Sequence, residues 1–311
     1  MNPLLRIGAR GSALSLRQTE QTRSRLAGLL GVEVEALPIT AITTSGDKQQ
    51  EGRLIETGGK GLFTKELDEA LRDGRIDIAV HSLKDLPTRL PDDIALACVP
   101  EREDPRDAFV SVKAASLADL PAGATMGTAS LRRQAQTLFA RPDLKVAVLR
   151  GNVDTRIRKL EAGVADATYL ALAGLKRLGL EHHARALVDP DAMPPAACQG
   201  ALAITTRASD AETIQRLTGL ESAVARVEIE AERAFLDALD GSCRTPIAAL
   251  ARCNGARLSF IGETLTPDGK QRWRRTGSAA LGGDPVATAR LLGRELGAEI
   301  RDEAGDALVM E

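Results

Sequence analysis

From Leu4 to about Thr205 the chain alternates short β-type runs with helical ones. This alternation is the strongest constraint in the sequence, because a helix between successive strands makes them parallel, and a largely parallel sheet must be covered on both faces. Apolar runs bounded by turn residues predict strands at 5–9, 32–39, 76–81, 94–99, 108–112, 124–127, 145–149, 168–172 and 201–205. Helical periodicity predicts helices at 13–30, 64–72, 130–140, 153–162 and 173–178. Gly31, Gly74, Gly163 and Gly179 stand where helices close on a left-handed residue.

The charged, proline-containing stretch Glu101-Arg102-Glu103-Asp104-Pro105-Arg106-Asp107 interrupts the alternation, and the loop from Asp189 to Pro195 interrupts it again. The apolar strand at 201–205 would then return the chain to the first sheet, so that two crossings join two α/β lobes around a hinged cleft. Beyond residue 220 the pattern changes to a long helix at 222–239, strands at 247–253, 257–265 and 272–280, and an amphipathic helix at 285–304. Short polar turns, Asn254-Gly255 and Pro267-Asp268-Gly269, pair these strands antiparallel. The expected domains are residues 1–100 with 201–219, residues 101–200, and residues 220–311.

Charge narrows the partners. The chain holds 32 arginines against nine lysines, yet its net charge is only −2. A generic polyanion binder carries a basic excess over a whole domain. Single-strand binders also stack bases on aromatic side chains, and this chain has five Phe, one Tyr and one Trp. Both counts argue against nucleic acid, and leave arginines that act locally on acidic groups. No apolar run reaches the length of a membrane span, and Met1-Asn2-Pro3-Leu4-Leu5-Arg6 lacks the apolar segment of a signal peptide, so a cytoplasmic protein is expected. Cys98, Cys198, Cys243 and Cys253 form no C-x-x-C pair, and His81, His182 and His183 no H-E-x-x-H; neither a disulfide nor a metal site is expected.

In Gly127-Thr128-Ala129-Ser130-Leu131-Arg132-Arg133 a strand ends in small residues, and Ser130 caps a helix whose first turn carries two arginines. Free N–H groups, the helix dipole and two guanidinium forks suit a carboxylate or phosphate there; a surface cap with solvated arginines would look the same. Repetition favours the anion. Arg150-Gly151-Asn152 with Arg156 one turn on repeats the arrangement, Arg10-Gly11-Ser12 follows the first strand, and Arg177 follows the strand at 168–172. Loops at strand carboxyl ends line the ligand crevice of open α/β sheets, so a ligand with several anionic groups is expected.

Gly58-Gly59-Lys60-Gly61 fails the spacing of a nucleotide P-loop and reads as one cation near the end of a Gly-rich lid at 43–61. The strand at 76–81 runs into His81-Ser82-Leu83-Lys84-Asp85. Asp85 is there either a turn cap or a carboxylate able to steady a developing cation, and His81 reads as a satisfied, half-buried histidine. Cys243, in Gly241-Ser242-Cys243-Arg244, is either a small buried residue or a nucleophile whose thiolate Arg244 favours.

Taken in order, several segments resemble the porphobilinogen deaminase (hydroxymethylbilane synthase) family along essentially the whole chain. They are Gly58-Gly59-Lys60-Gly61-Leu62-Phe63, His81-Ser82-Leu83-Lys84-Asp85, the 101–107 stretch, Ser130-Leu131-Arg132-Arg133, Leu149-Arg150-Gly151-Asn152, Ala173-Gly174-Leu175-Lys176-Arg177-Leu178-Gly179, Gln199-Gly200 and Gly241-Ser242-Cys243. The resemblance implies a transferase of tetrapyrrole and heme biosynthesis. It would condense four porphobilinogen molecules head to tail onto a covalent dipyrromethane primer, releasing ammonia each time, then hydrolyse the linear hydroxymethylbilane free. The implied fold is α/β: two type II periplasmic-binding-protein-like domains around a cleft, plus a C-terminal α+β domain with a three-stranded antiparallel sheet.

By motif match, dipyrromethane is thioether-linked to Cys243 and held by Ser82, Lys84, Thr128, Ser130, Arg132, Arg133, Arg156 and Gln199. Arg10, Ser12, Lys60, Arg150 and Arg177 match substrate-binding positions, and Asp85 matches the catalytic carboxylate. Each substrate ring carries an acetate and a propionate, which planar guanidinium forks suit better than lysine point charges. The implied protein is a monomer acting on a small molecule.

Some positions depart from the family pattern. Ser242 stands where Gly is usual, Arg244-Thr245 where Gln-Val is frequent, and Ser45 where a basic residue often occurs, which removes one carboxylate contact. Cys198, in place of a small residue beside Gln199, is expected as an oxidation-sensitive thiol lining the cleft. Two arginine-lined lobes also fit a non-catalytic polycarboxylate-binding protein of the periplasmic-binding type, against which the domain carrying Cys243 argues.

Overall fold

A computed structural model describes residues 4–48, 63–239 and 245–308. In chain order it begins β1 (Ile7–Arg10), α1 (Ala13–Leu30), β2 (Ile39–Ile42), α2 (Ser45–Lys48), α3 (Lys65–Arg72), β3 (Ile78–Ser82) and β4 (Ile94–Cys98). There follow β5 (Asp107–Ser111), β6 (Thr125–Gly127), α4 (Leu131–Ala140), β7 (Lys145–Ala147), α5 (Val153–Glu161), β8 (Ala167–Ala171), α6 (Leu172–Leu178) and β9 (Ala186–Leu187). The chain ends with β10 (Leu202–Arg207), α7 (Ala211–Leu217), α8 (Ala223–Ala238), β11 (Ile247–Asn254), β12 (Arg257–Leu265), β13 (Arg272–Ala280) and α9 (Pro285–Ala304). The described residues gather into two compact units, 4–48 with 63–103 and 200–226, and 104–199 with 227–308.

In the first unit β1 pairs parallel with β2 and β3, and β10 lies antiparallel between β3 and β4. Strand periodicity builds a core on each face. Ile78 and Val80 pack with Leu26 and Ala27 of α1, whereas Ala79 between them packs with Leu67, Ala70 and Leu71 of α3. Gly8 faces Ile76 and α3: a Cβ there would meet Ile76 Cδ1 at 2.3 Å and Leu67 Cδ2 of α3 at 3.1 Å. Helix α1 starts on Ser12, whose side chain accepts from Ser15 N, and closes on Gly31 at φ 64°; Gly74, Gly163 and Gly179 likewise have positive φ.

The strand expected at 32–39 is displaced. Val34–Ala36 form a one-turn 3-10 helix, and pairing starts only at Ile39, opposite Ile7. Alternating Val and Glu imitate a half-buried strand. The neighbour is already satisfied there by turn contacts, with Leu4 N donating to Ala36 O and Ile7 N to Pro38 O.

The second unit repeats the topology. β6 pairs parallel with β7 and β8, and β5 lies antiparallel between β8 and β9. Ala108 and Val110 pack with Ile157 and Leu160 of α5 and Leu175 of α6. Phe109 faces the opposite core with Met126 and Tyr169, its ring edge-on to Tyr169 at 5.8 Å.

The same unit holds the antiparallel sheet β11-β12-β13. Helices α8 and α9 cover one face. The Phe235 ring of α8 lies tilted 5.2 Å from that of Phe260, and Gly293 of α9 brings the two helices into backbone contact. The other face meets α4, where Gln136 Nε2 donates to Glu263 Oε1 at 2.8 Å. Among the described residues no helix is long and apolar enough to cross a membrane.

Candidate active site

Because β1 and β3 are parallel neighbours, their carboxyl ends bring Arg10 beside the turn that follows β3. That turn, Leu83–Asp85, is pinned by buried Leu83, whose N–H donates to Ala201 O, and it presents Lys84 and Asp85 at the surface. Arg10 Nη1 lies 3.7 Å from Asp85 Oδ2, and its guanidinium sits 4.1 Å from the Phe63 ring centroid. Together with Ser12, Ser15, Gln18, His81 and Ser82 they line an open pocket.

Gln18 Nε2 donates to Ser82 Oγ at 2.9 Å, which fixes that hydroxyl at the pocket wall. Sequence reasoning missed Gln18, though there was a signal: Ser15, Gln18, Thr19 and Thr22 follow core spacing on α1, are polar, and are buried. His81 is buried with Nε2 3.0 Å from Thr205 Oγ1, as a satisfied histidine should be. Burial, helped by the charge of Arg10, pushes its pKa down to about 4, so it stays neutral near pH 7.

The second unit assembles another group at the carboxyl ends of β6, β7 and β8. Ser130 caps α4 by accepting from Arg133 N, and Thr128 Oγ1 accepts from Ser130 N. The two arginines of this first turn point inward. Arg132 Nη2 meets Asp107 Oδ2 at 2.9 Å and Arg133 Nη2 meets Asp107 Oδ1 at 2.7 Å, while Gln199 Nε2 donates to the same Oδ1 at 2.9 Å. Arg132, Arg133, Asp107 and Gln199 are all buried. Burial alone would raise the Asp107 pKa, but the charges of Arg132 and Arg133 outweigh it and hold the carboxyl far below the usual range. Asp107 is thus no linker residue, although the charged stretch it ends reads as one.

On α5, Asn152 accepts from Thr155 N as the N-cap, and Gly151 at φ 125° exposes its carbonyl to Arg156 Nε at 2.8 Å. Lys159 Nζ donates to Arg150 O. Arg177 lies in the last turn of α6, half-buried. Lys60, Cys243 and the lid beyond Lys48 lie outside the described residues. Cys198 does not line a cleft as expected: it is buried, with Sγ facing Ile229 O at 4.0 Å.

Several known proteins resemble this chain. A solved structure with partial likeness, the methionine-binding protein MetQ, gives a TM-score of 0.44 at 14% identity, covering 70% of this chain and 89% of that one. Residues 5–215 match the family model "Porphobilinogen deaminase, dipyromethane cofactor binding domain", and residues 226–302 match "Porphobilinogen deaminase, C-terminal domain". The chain is 56% identical to the porphobilinogen deaminase of Caulobacter vibrioides, over 99% of this chain and 98% of that one. It is 54% identical to that of Phenylobacterium zucineum, over 99% of both. Similarity of this extent, running through both matched domains, means that the chain belongs to the porphobilinogen deaminase family.

Proposed function

We infer that this chain is a transferase, a porphobilinogen deaminase (hydroxymethylbilane synthase), which joins four porphobilinogen molecules head to tail with loss of ammonia and then hydrolyses the linear tetrapyrrole free. The observation that carries the reading is full-length identity to curated deaminases, C-terminal domain included. A non-catalytic polycarboxylate-binding protein would not need that domain.

The second unit suits dipyrromethane, whose side chains are carboxylates. Arg132 and Arg133 share one carboxylate, Asp107, and Arg132 Nε is buried with no hydrogen-bond partner, so donor capacity is left for carboxylates from outside. Thr128, Ser130, Arg132, Arg133, Arg156 and Gln199 would hold the group; Ser82 and Lys84 of the first unit carry the same assignment on motif grounds. Attached at Cys243, dipyrromethane supplies the pyrrole carbon to which the first substrate unit is joined.

Asp85 is the catalytic carboxylate. Loss of ammonia leaves a cation spread over the substrate ring and its nitrogen, and each joining step must then shed a ring proton. A carboxylate held at the lip of a pocket stabilises the first and accepts the second. Arg10 lies beside Asp85 and against the Phe63 ring, and by motif match it binds a substrate carboxylate. Ser12, Lys60, Arg150 and Arg177 bind the other substrate carboxylates. The partner is a small polycarboxylate, met by a monomer in the cytoplasm without nucleic acid or membrane.

Intact mass spectrometry and single-turnover kinetics test this. The wild type should carry a covalent excess of two pyrrole units that Cys243→Ser lacks, and Asp85→Asn should keep the excess and the fold while losing at least about 100-fold in ammonia release. An unmodified wild type that releases no ammonia from porphobilinogen would overturn the function, and near-normal turnover by Asp85→Asn would remove that residue from its role.

A further inference from the structure

β11 is an outer strand of its sheet, and three of its outward N–H groups are taken up locally. Ala249 N donates to Pro195 O at 3.1 Å, Ala251 N to Glu232 Oε1 at 2.8 Å and Cys253 N to Glu228 Oε1 at 3.0 Å. Residues four apart on a helix rise about 6 Å, and residues two apart on a strand about 6.7 Å. Glu228 and Glu232 of α8 therefore match the spacing of successive outward amides, and cover an edge that could otherwise pair with another chain.

Glu232 does more than Glu228. It is fully buried, and its second oxygen, Oε2, accepts from Cys198 N at 2.5 Å. Among the described residues Cys198 is the one non-glycine with φ in the left-handed region, at 62°, a conformation that a Cβ makes unfavourable. The turn it closes reaches the buried arginines from both ends. Pro194 O accepts from Arg132 Nη1 at 3.2 Å and from Gln136 Nε2 at 2.9 Å. Gln199 Nε2 donates to Asp107 Oδ1 and to Pro105 O.

We propose that Glu232 is a positioning residue: by holding Cys198 in its left-handed turn it places Pro194 and Gln199, and through them the guanidinium groups of Arg132 and Arg133 that receive the cofactor's carboxylates. The inference rests on the reading of Arg132 and Arg133 as carboxylate holders. Glu232 touches neither ligand nor reacting atoms; it is the strut between the helix that leads toward Cys243 and the arginine pair.

Glu232→Gln tests it, because the amide keeps the shape but offers one acceptor where two N–H groups need one each. Intact mass spectrometry of the purified protein gives the ratio of cofactor-loaded to empty chains, and far-UV circular dichroism checks the fold. That ratio should fall about tenfold. Adding Cys198→Gly should recover most of it, since glycine takes positive φ without steric cost, whereas Cys198→Ala, which also removes the thiol, should not. Loading of Glu232→Gln equal to wild type, or equal effects of Gly and Ala at 198, overturns the proposal. A wild type with no two-pyrrole excess overturns the carboxylate-holder reading, and this inference with it.

Discussion

Asp107 is the carboxylate that both members of the buried arginine pair contact. Its carboxylate accepts from Arg132, Arg133 and Gln199, and it is only 2% exposed. Asp107→Asn keeps the shape but takes from two buried guanidinium groups the carboxylate they both contact, which should cost about 3–5 kcal/mol in urea unfolding. A loss below about 1 kcal/mol would mean that the pair is solvated after all. This charge was not legible in the sequence: a run of Glu, Arg, Asp and Pro reads as a solvated crossing, and what buries its last member is an arginine pair some 25 positions later. Ser130 and Asn152 were legible, because an N-cap is a local pattern that needs only the backbone just after it. Cys198 was misread for the same reason as Asp107, since its burial depends on Glu232, Ile229 and the turn between them.

Elements were easier to read than charges wherever hydrophobic spacing decided them. Helices α1 and α9 and strands β12 and β13 fall where periodicity put them. Short β9, of two residues, carries too few periods to register, and α7 was missed as well. Helix contacts turn on glycine in a way that periodicity does not reveal. At Gly293 a Cβ would lie 2.0 Å from Ala231 O on the facing helix, and backbone cannot move aside as a side-chain tip can. At Gly28 of α1 a Cβ would meet nothing within 4 Å. The same change should therefore have opposite signs. Gly28→Ala should stabilise by about 0.5–1 kcal/mol through helix propensity, whereas Gly293→Ala should destabilise by about 1–3 kcal/mol as α8 and α9 are forced apart. Chemical denaturation of both variants decides the matter, and two stabilising results would contradict the close crossing.

Across the whole molecule, the response of stability to pH follows from buried groups shifted in opposite senses. His81, driven down to about 4 by burial and the charge of Arg10, stays neutral in the folded protein while the unfolded chain, near 6.5, takes up a proton. Between pH 6.5 and 4 it therefore makes stability fall with acidification. Asp68 does the reverse. Burial, offset in part by the charge of Arg72, pushes its carboxyl up to about 6, so between pH 6 and the ordinary 3.8 the folded protein binds the extra proton and gains stability as pH falls. From about pH 6 to 4 the two slopes, each at most about 1.4 kcal/mol per pH unit, nearly cancel. Below that window Asp107, with Asp77 and Asp104, has a folded pKa lowered beneath its unfolded value, so stability is lost as the unfolded chain protonates. Urea unfolding at several pH values should thus find the wild type nearly flat from pH 6 to 4.5 and steeply weaker below 4. His81→Gln should instead gain stability on acidification through the flat window, and Asp68→Asn should lose it. Curves for the two variants that run parallel to wild type would show that neither group is buried in the charge state assigned to it, since removing either member of a cancelling pair must expose the slope of the other.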